Sequence, residues 1–316
     1  MSAVPAAAID APGIDAGGVD AGDGWQAQLE LRFEAEAGRT RLAHRRHQGP
    51  LMVQRVFYPE GASPAHAYLL HPPGGVVSGD RLQLEVDVRP AAHALLTTPA
   101  AGKFYRRMLP DGGRWARLQQ TLQVNGGVLE WLPQENIFFP DTAARLSTEV
   151  RLTGSARFIG WEIGCLGLPA SNATLGEGIV RQGFELWHDD APLLLERVQL
   201  DRGCLQSRWG LAGHVALGTW LAFPAGEREL ALARAAVAAT AAATAAAASA
   251  TIAAAATGAV DCADLMLACT LVDGVLSCRG TASRADRLRQ AFIDLWRALR
   301  PALVGRAAIA PRIWAT

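Results

Sequence analysis

"WQAQLELRFEAE", residues 25–36, alternates without a fault: Trp25, Ala27, Leu29, Leu31, Phe33 and Ala35 are apolar, while Gln26, Gln28, Glu30, Arg32, Glu34 and Glu36 are polar. Successive side chains of a strand point to opposite faces, so a period of two reads as a strand with one buried and one wet face. The pattern returns in residues 81–89 through Leu82, Leu84, Val86 and Val88, and in residues 145–152 through Leu146, Val150 and Leu152. Between such runs stand Pro110-Asp111-Gly112-Gly113, Asn125-Gly126-Gly127 and Asp273-Gly274, residues that accept the positive φ of tight turns. The last separates 265–272 from 275–281 and predicts a two-residue hairpin.

Helical periodicity is clear only late in the chain. Leu288, Phe292, Leu295 and Leu299 form one apolar stripe, Ser283 with Asp286 resembles a capping box, and Pro301 is expected to stop the run. A second helix is expected to begin near Glu227, where two acids suit the positive end of the helix dipole and a run of Ala follows. The expectation is a mainly β protein with two C-terminal α-helices.

Bulk composition narrows the function classes. The 316 residues carry 30 basic and 30 acidic side chains with no dominant Lys/Arg cluster, so the counter-ion release that drives nucleic-acid binding has no source. Five cysteines without a Cys-x-x-Cys pair argue against a disulfide framework or a zinc site and for a reducing, cytoplasmic setting. Residues 1–24 hold four Asp, no Lys or Arg and much Ala and Gly, which predicts a disordered tail ahead of one domain over 25–316. Residues 235–260 are uncharged and long enough to span a bilayer, but Ala and Thr bury too little area to drive insertion. The Ala-rich segment 231–257 is therefore read as helix followed by a tolerant insert, and no membrane partner is expected.

"HPPGGVVSGD", residues 71–80, comes close to a phosphate-binding loop. Asp80 and Arg81 stand where such a loop needs Lys and Ser/Thr, and a carboxylate there repels phosphate. The glycines read as a chain-reversing turn; Asp80 can bond nearby amides or aim an anionic oxygen into a cavity. Other acids interrupt apolar strands. Alternation in "FIGWEIGCLG" sets Glu162 on one face with Gly160 and Gly164, leaving room for water or an ion, while "PLLLERVQL" sets Glu196 with Leu194 and Val198. "VLEWLPQE" adds Glu130 and Glu135. A buried acid needs an arginine, a proton, water or a metal, and the ion pair is the commonest solution. No nucleophile has an identifiable base near it, and no metalloprotease or hydrolase motif is present. A carboxylate-pair hydrolase and a plain binding module remain as alternatives.

The segments "GPLMVQRVFYPEG", "YLLHPPGGVVSGDRL", "ALLTTPAAGKFYR", "LEWLPQENIFF", "GWEIGCLGLPA", "PLLLER" and the closing "LWRALRP...GR...PRIWAT" resemble the urease accessory protein family UreD, also called UreH. The resemblance runs from about Trp25 to Thr316. It implies an irregular, β-helix-like winding of many strands and a non-catalytic chaperone that binds UreF and, through it, the GTPase UreG. The assembly docks on apo-urease so that nickel reaches that enzyme. It implies no tightly bound cofactor, only nickel in transit along a water-filled passage. Asp80, Glu162 and Glu196 occupy the family's acidic motif positions, and Glu130 joins them as a candidate lining acid. Spaced carboxylates attract a divalent ion yet release it, as a passage requires.

Overall fold

The computed structural model of the chain describes residues 24–106, 114–254 and 264–315. The tail expected over 1–24 falls almost wholly outside these residues, as do the Pro110–Gly113 turn and the end of the Ala-rich segment. In chain order the strands are β1 (Gln26–Glu36), β2 (Arg39–Gln48), β3 (Met52–Val53), β4 (Ala65–Leu70), β5 (Arg81–Val88), β6 (His93–Thr97), β7 (Gly102–Phe104), β8 (Ala116–Asn125) and β9 (Val128–Trp131). They continue with β10 (Asn136–Phe138), β11 (Ala143–Thr153), β12 (Arg157–Leu166), β13 (Ile179–His188), β14 (Ala191–Leu200), β15 (Ala216–Phe223), β16 (Leu265–Val272) and β17 (Val275–Ala282). The helices are α1 (Arg202–Gln206), α2 (Glu227–Ala254) and α3 (Ala285–Val304).

One sheet has the order β14-β13-β11-β8-β5-β1-β2, and the other runs β16-β17-β15-β12-β9-β6-β4-β3 with β10 and β7 branching from β12. From β4 to β13 the chain passes repeatedly between the sheets, and β5, β8, β11 and β13 lie parallel in one while β4, β6, β9 and β12 lie parallel in the other. That is the β-helix-like winding expected. Parallel sheets are usually covered on both faces and read as continuous apolar runs. Here the first sheet leaves its outer face wet, which is why its strands alternate so cleanly: in β1, Ala27, Leu29, Leu31 and Phe33 are buried and the residues between them are not. Trp25 and Ala35, at the ends of the pattern, are exposed.

The second sheet is covered on both faces, so β12 reads FIGWEIGCL. Its Phe158 and Leu166 join the core between the sheets, while Ile159, Trp161, Ile163 and Cys165 join a second core beneath α2 and α3. Alternation therefore sends Glu162 toward the opposite sheet. In β9 it sends Glu130 the other way, to the helix layer, because Leu129 and Trp131 take the inter-sheet face.

The Asp273-Gly274 hairpin forms as expected, with φ of 48° and 77° at its two central residues. Gly126, at φ 64°, carries the chain from β8 in one sheet to β9 in the other. Two expectations about α3 are corrected. Ser283 does not cap it: Arg284 is the N-cap, its guanidinium pairs with Asp286, and Ser283 bonds Asp264 instead. Nor does Pro301 stop it. The helix continues to Val304 and ends at Gly305, φ 70°, whose N–H donates to the Pro301 carbonyl. A proline here removes one amide bond close to the end of the helix, where little helix remains to be disrupted. α2 begins at Glu227 as read, and Glu229 reaches back to the Gly226 amide. Among the described residues no helix is long and apolar enough to cross a membrane.

Candidate functional site

The acids singled out in the sequence have different surroundings. Asp80, buried at the end of the 71–80 loop, accepts the Trp25 amide at 2.9 Å on one oxygen and the Val77 amide at 2.9 Å on the other. It ties the start of β1 to the turn that precedes β5. Asp80→Ala removes two charge-assisted bonds and is expected to cost about 1–3 kcal/mol, read as a lower midpoint in urea denaturation.

Glu130 has no exposed surface and lies in a network of ions. Arg300 of α3 donates to both its oxygens, His93 shares a hydrogen bond with it at 2.7 Å, and Trp296 donates at 2.6 Å. Arg300 also spans Glu60 through both terminal nitrogens, and Glu60 meets His66 at 2.9 Å. Burial pushes the Glu130 carboxyl up, but the bonds and charges of His93 and Arg300 outweigh it and hold the group at about 2. Burial likewise opposes ionisation of Glu60, and His66 and Arg300 win again. Glu135 faces Arg289 at 3.5 Å. Arg300, Glu60 and His93 were not picked out from the sequence. The available signal was Arg300 itself, four residues after Trp296 on the buried face of α3, where a lone guanidinium demands acids beneath it.

Glu162 differs from Glu130, Glu60 and Glu135 because, among the described residues, no arginine meets it. Thr148 of β11 and Gln120 of β8 stand opposite, the Thr148 hydroxyl bonding Gln120 Oε1 at 2.8 Å and also Glu162 Oε1. A hydroxyl has one proton. Thr148 therefore donates to only one of the two oxygens at a time, and when it donates to Glu162 the bond favours the ionised carboxyl. Burial raises the carboxyl to about 7; the Thr148 bond opposes the rise and the negative Glu196 adds to it. The space expected beside Glu162 is found on one side only. A Cβ on Gly160 would lie 2.5 Å from the Phe158 ring and 3.0 Å from Trp131, so that side is filled, whereas Gly164 lines a cavity.

Two cavities between the sheets meet at Glu162. One, of about 360 Å³, reaches from Glu162 past Gln182 and Thr219 to Glu196 and Arg279. That pair is joined at 3.2 Å with side chains 31% and 47% exposed, so this end opens to solvent. The other, of about 380 Å³, runs from Glu162 past Gln120 and Gln134 to His71, Gly74 and Lys103. Gly74 and Lys103 are exposed, so the "HPPGG" turn forms part of a second mouth. Burial holds His71 below the usual histidine range although Asp80 opposes it, which leaves a neutral ring able to ligate. Among the described residues no three His, Cys, Asp or Glu side chains converge as a metal-holding group. Glu162 and Glu196 thus share a cavity, while Asp80 and Glu130 line neither.

A sequence model described as UreD urease accessory protein matches residues 26–315. The chain belongs to the UreD family. The urease accessory protein UreD of Escherichia coli is 41% identical over 294 residues, covering 93% of this chain and 98% of its own. The UreD proteins of Alcanivorax borkumensis and Klebsiella aerogenes are 39% and 38% identical, each over 93% of this chain and over 93% and 97% of their own. The chain is accordingly an accessory protein of urease maturation and not an enzyme, and the hydrolase reading falls away. The inter-sheet cavities that meet at Glu162 are formed by this UreD fold.

Proposed function

We propose that this UreD chain passes nickel toward apo-urease through the space between its two sheets, as part of a cytoplasmic complex with UreF and the GTPase UreG. The observation that carries this reading is the junction at Glu162: two cavities, each reaching solvent, share one carboxyl that no cation among the described residues neutralises. Ni(II) arriving there displaces the proton, takes carboxylate oxygen from Glu162 and water for the rest, and moves on because too few protein ligands hold it. Glu196, tethered to Arg279, supplies negative charge at one mouth, and His71 supplies a neutral nitrogen at the other. Asp80 and Glu130, whose oxygens are committed to amides and to Arg300, support the walls and do not line the route.

The test is the double variant Glu162→Ala/Glu196→Ala, produced with its partners and urease under limiting nickel. Assembly is expected to persist and urease nickel content, read by elemental analysis, to fall several-fold. Full nickel loading by an intact assembly overturns the passage. Normal urease nickel and activity after deletion of the chain overturns the delivery role.

A further inference from the structure

The hairpin of β16 and β17 sets Cys269 directly opposite Cys278. Its turn decides what kind of pair this is. A two-residue turn closes on a hydrogen-bonded pair, here Val272 and Val275, and the two pair types alternate outward, so Cys269 and Cys278, three steps on, occupy a non-hydrogen-bonded site. At such a site α-carbons lie about 4.5 Å apart and side chains are closest. That separation falls within the roughly 4.4–6.8 Å that a disulfide spans. Both thiols face the helix layer, Cys278 fully buried and Cys269 half-buried beside Leu267 and Leu271. They are free and hydrogen-bonded to each other. That bond favours ionisation of Cys269, burial opposes it, and Arg234 of α2 assists. The same bond and its burial drive Cys278 far the other way.

We propose that Cys269 and Cys278 form a peroxide-oxidisable dithiol that closes reversibly into a cross-strand disulfide, with Cys269 attacking and Cys278 resolving. The Cys269 thiolate attacks one oxygen of hydrogen peroxide, the O–O bond breaks, and the departing hydroxide takes a proton to become water. Cys269 is then a sulfenic acid. The Cys278 sulfur attacks it, forming the S–S bond, and a second water leaves with the Cys278 proton. Two thiols have given two electrons to one peroxide, and an added dithiol reduces the disulfide back to the two thiols, becoming a disulfide itself. The two neighbours of the pair, Ala268 and Arg279, point to the other face and line the cavity that holds Glu196, so the bond pins that wall.

Cells producing the full chain are treated with hydrogen peroxide, thiols are blocked with N-ethylmaleimide, and the chain is cut by an Asp-specific protease. Cleavage at Asp264 and Asp273 places the two cysteines on separate peptides and removes Cys262 from both. The expected product is the two peptides joined through Cys269 and Cys278 and released by dithiothreitol, with Cys278→Ser instead leaving a dimedone-reactive sulfenic acid at Cys269. Both cysteines remaining alkylatable at peroxide doses that oxidise Cys165 or Cys204 overturns the proposal. So does a disulfide that joins Cys269 to Cys262.

Discussion

Arg300→Ala is expected to destabilise the protein by about 3–5 kcal/mol, a large fraction of the roughly 5–15 kcal/mol that holds a folded domain together. The guanidinium is fully buried and is the only arginine in contact with either Glu130 or Glu60 among the described residues. Removing it leaves two carboxylates in a dry layer beneath α3, and the loss follows from their stranded charge more than from the missing bonds. Trp296 and Trp314, which meet edge to face near this point and carry the closing segment back onto Thr97, lose their floor as well. Glu130→Gln is milder, because Arg300 keeps Glu60. The pH dependence distinguishes the ionic account from simple packing. The folded-state pKa of Glu130 lies below its unfolded value, so its contribution is present above about 4.5 and is lost as pH falls toward 2. The contribution is on the order of 3 kcal/mol. Urea titrations from pH 7 to 2 are expected to show wild-type stability falling through that window and a flatter curve for Glu130→Gln. An Arg300→Ala chain as stable as wild type would sink this account.

Glu162→Gln is expected to act in the opposite direction on stability while removing function. The Glu162 pKa is raised to about 7, so the unfolded chain releases its proton at lower pH than the folded one, and stability falls between about 4.5 and 7. The amide escapes that cost, keeps a partner in Thr148, and is expected to gain on the order of 2–3 kcal/mol above pH 7 and nothing below pH 4.5. Nickel transfer follows the charge. In the wild-type complex it is expected to weaken as pH drops below 7 and the proton competes with the metal, and in Glu162→Gln to be several-fold lower at every pH. Thermal melts at pH 5 and 8, beside urease nickel content at limiting supply, give both readings. A variant that is less stable at pH 8, or that loads urease normally, would remove Glu162 from the route. Stability given up at one unpaired acid is what a functional carboxylate looks like energetically.

Sequence alternation alone determined the strands β1, β5 and β11. A period of two in β1, β5 and β11 can be satisfied only by a sheet with one wet face, and the stripe Leu288, Phe292, Leu295 and Leu299 only by a helix lying on a core. Turn chemistry at Asp273-Gly274 was equally local, because positive φ at two successive residues leaves few alternatives. The motif resemblance identified the family. What chain order could not reveal was which buried acid has a partner. Glu130 and Glu162 both interrupt apolar strands, and only the packing of α3 onto the second sheet, 170 residues away in the chain, brings Arg300 to Glu130. Glu162 points the other way, across to Thr148 and Gln120, and meets no cation among the described residues. Local pattern fixes the face to which a side chain turns. Its partners, and hence its charge and chemistry, depend on long-range contacts between layers, which only the tertiary structure decides.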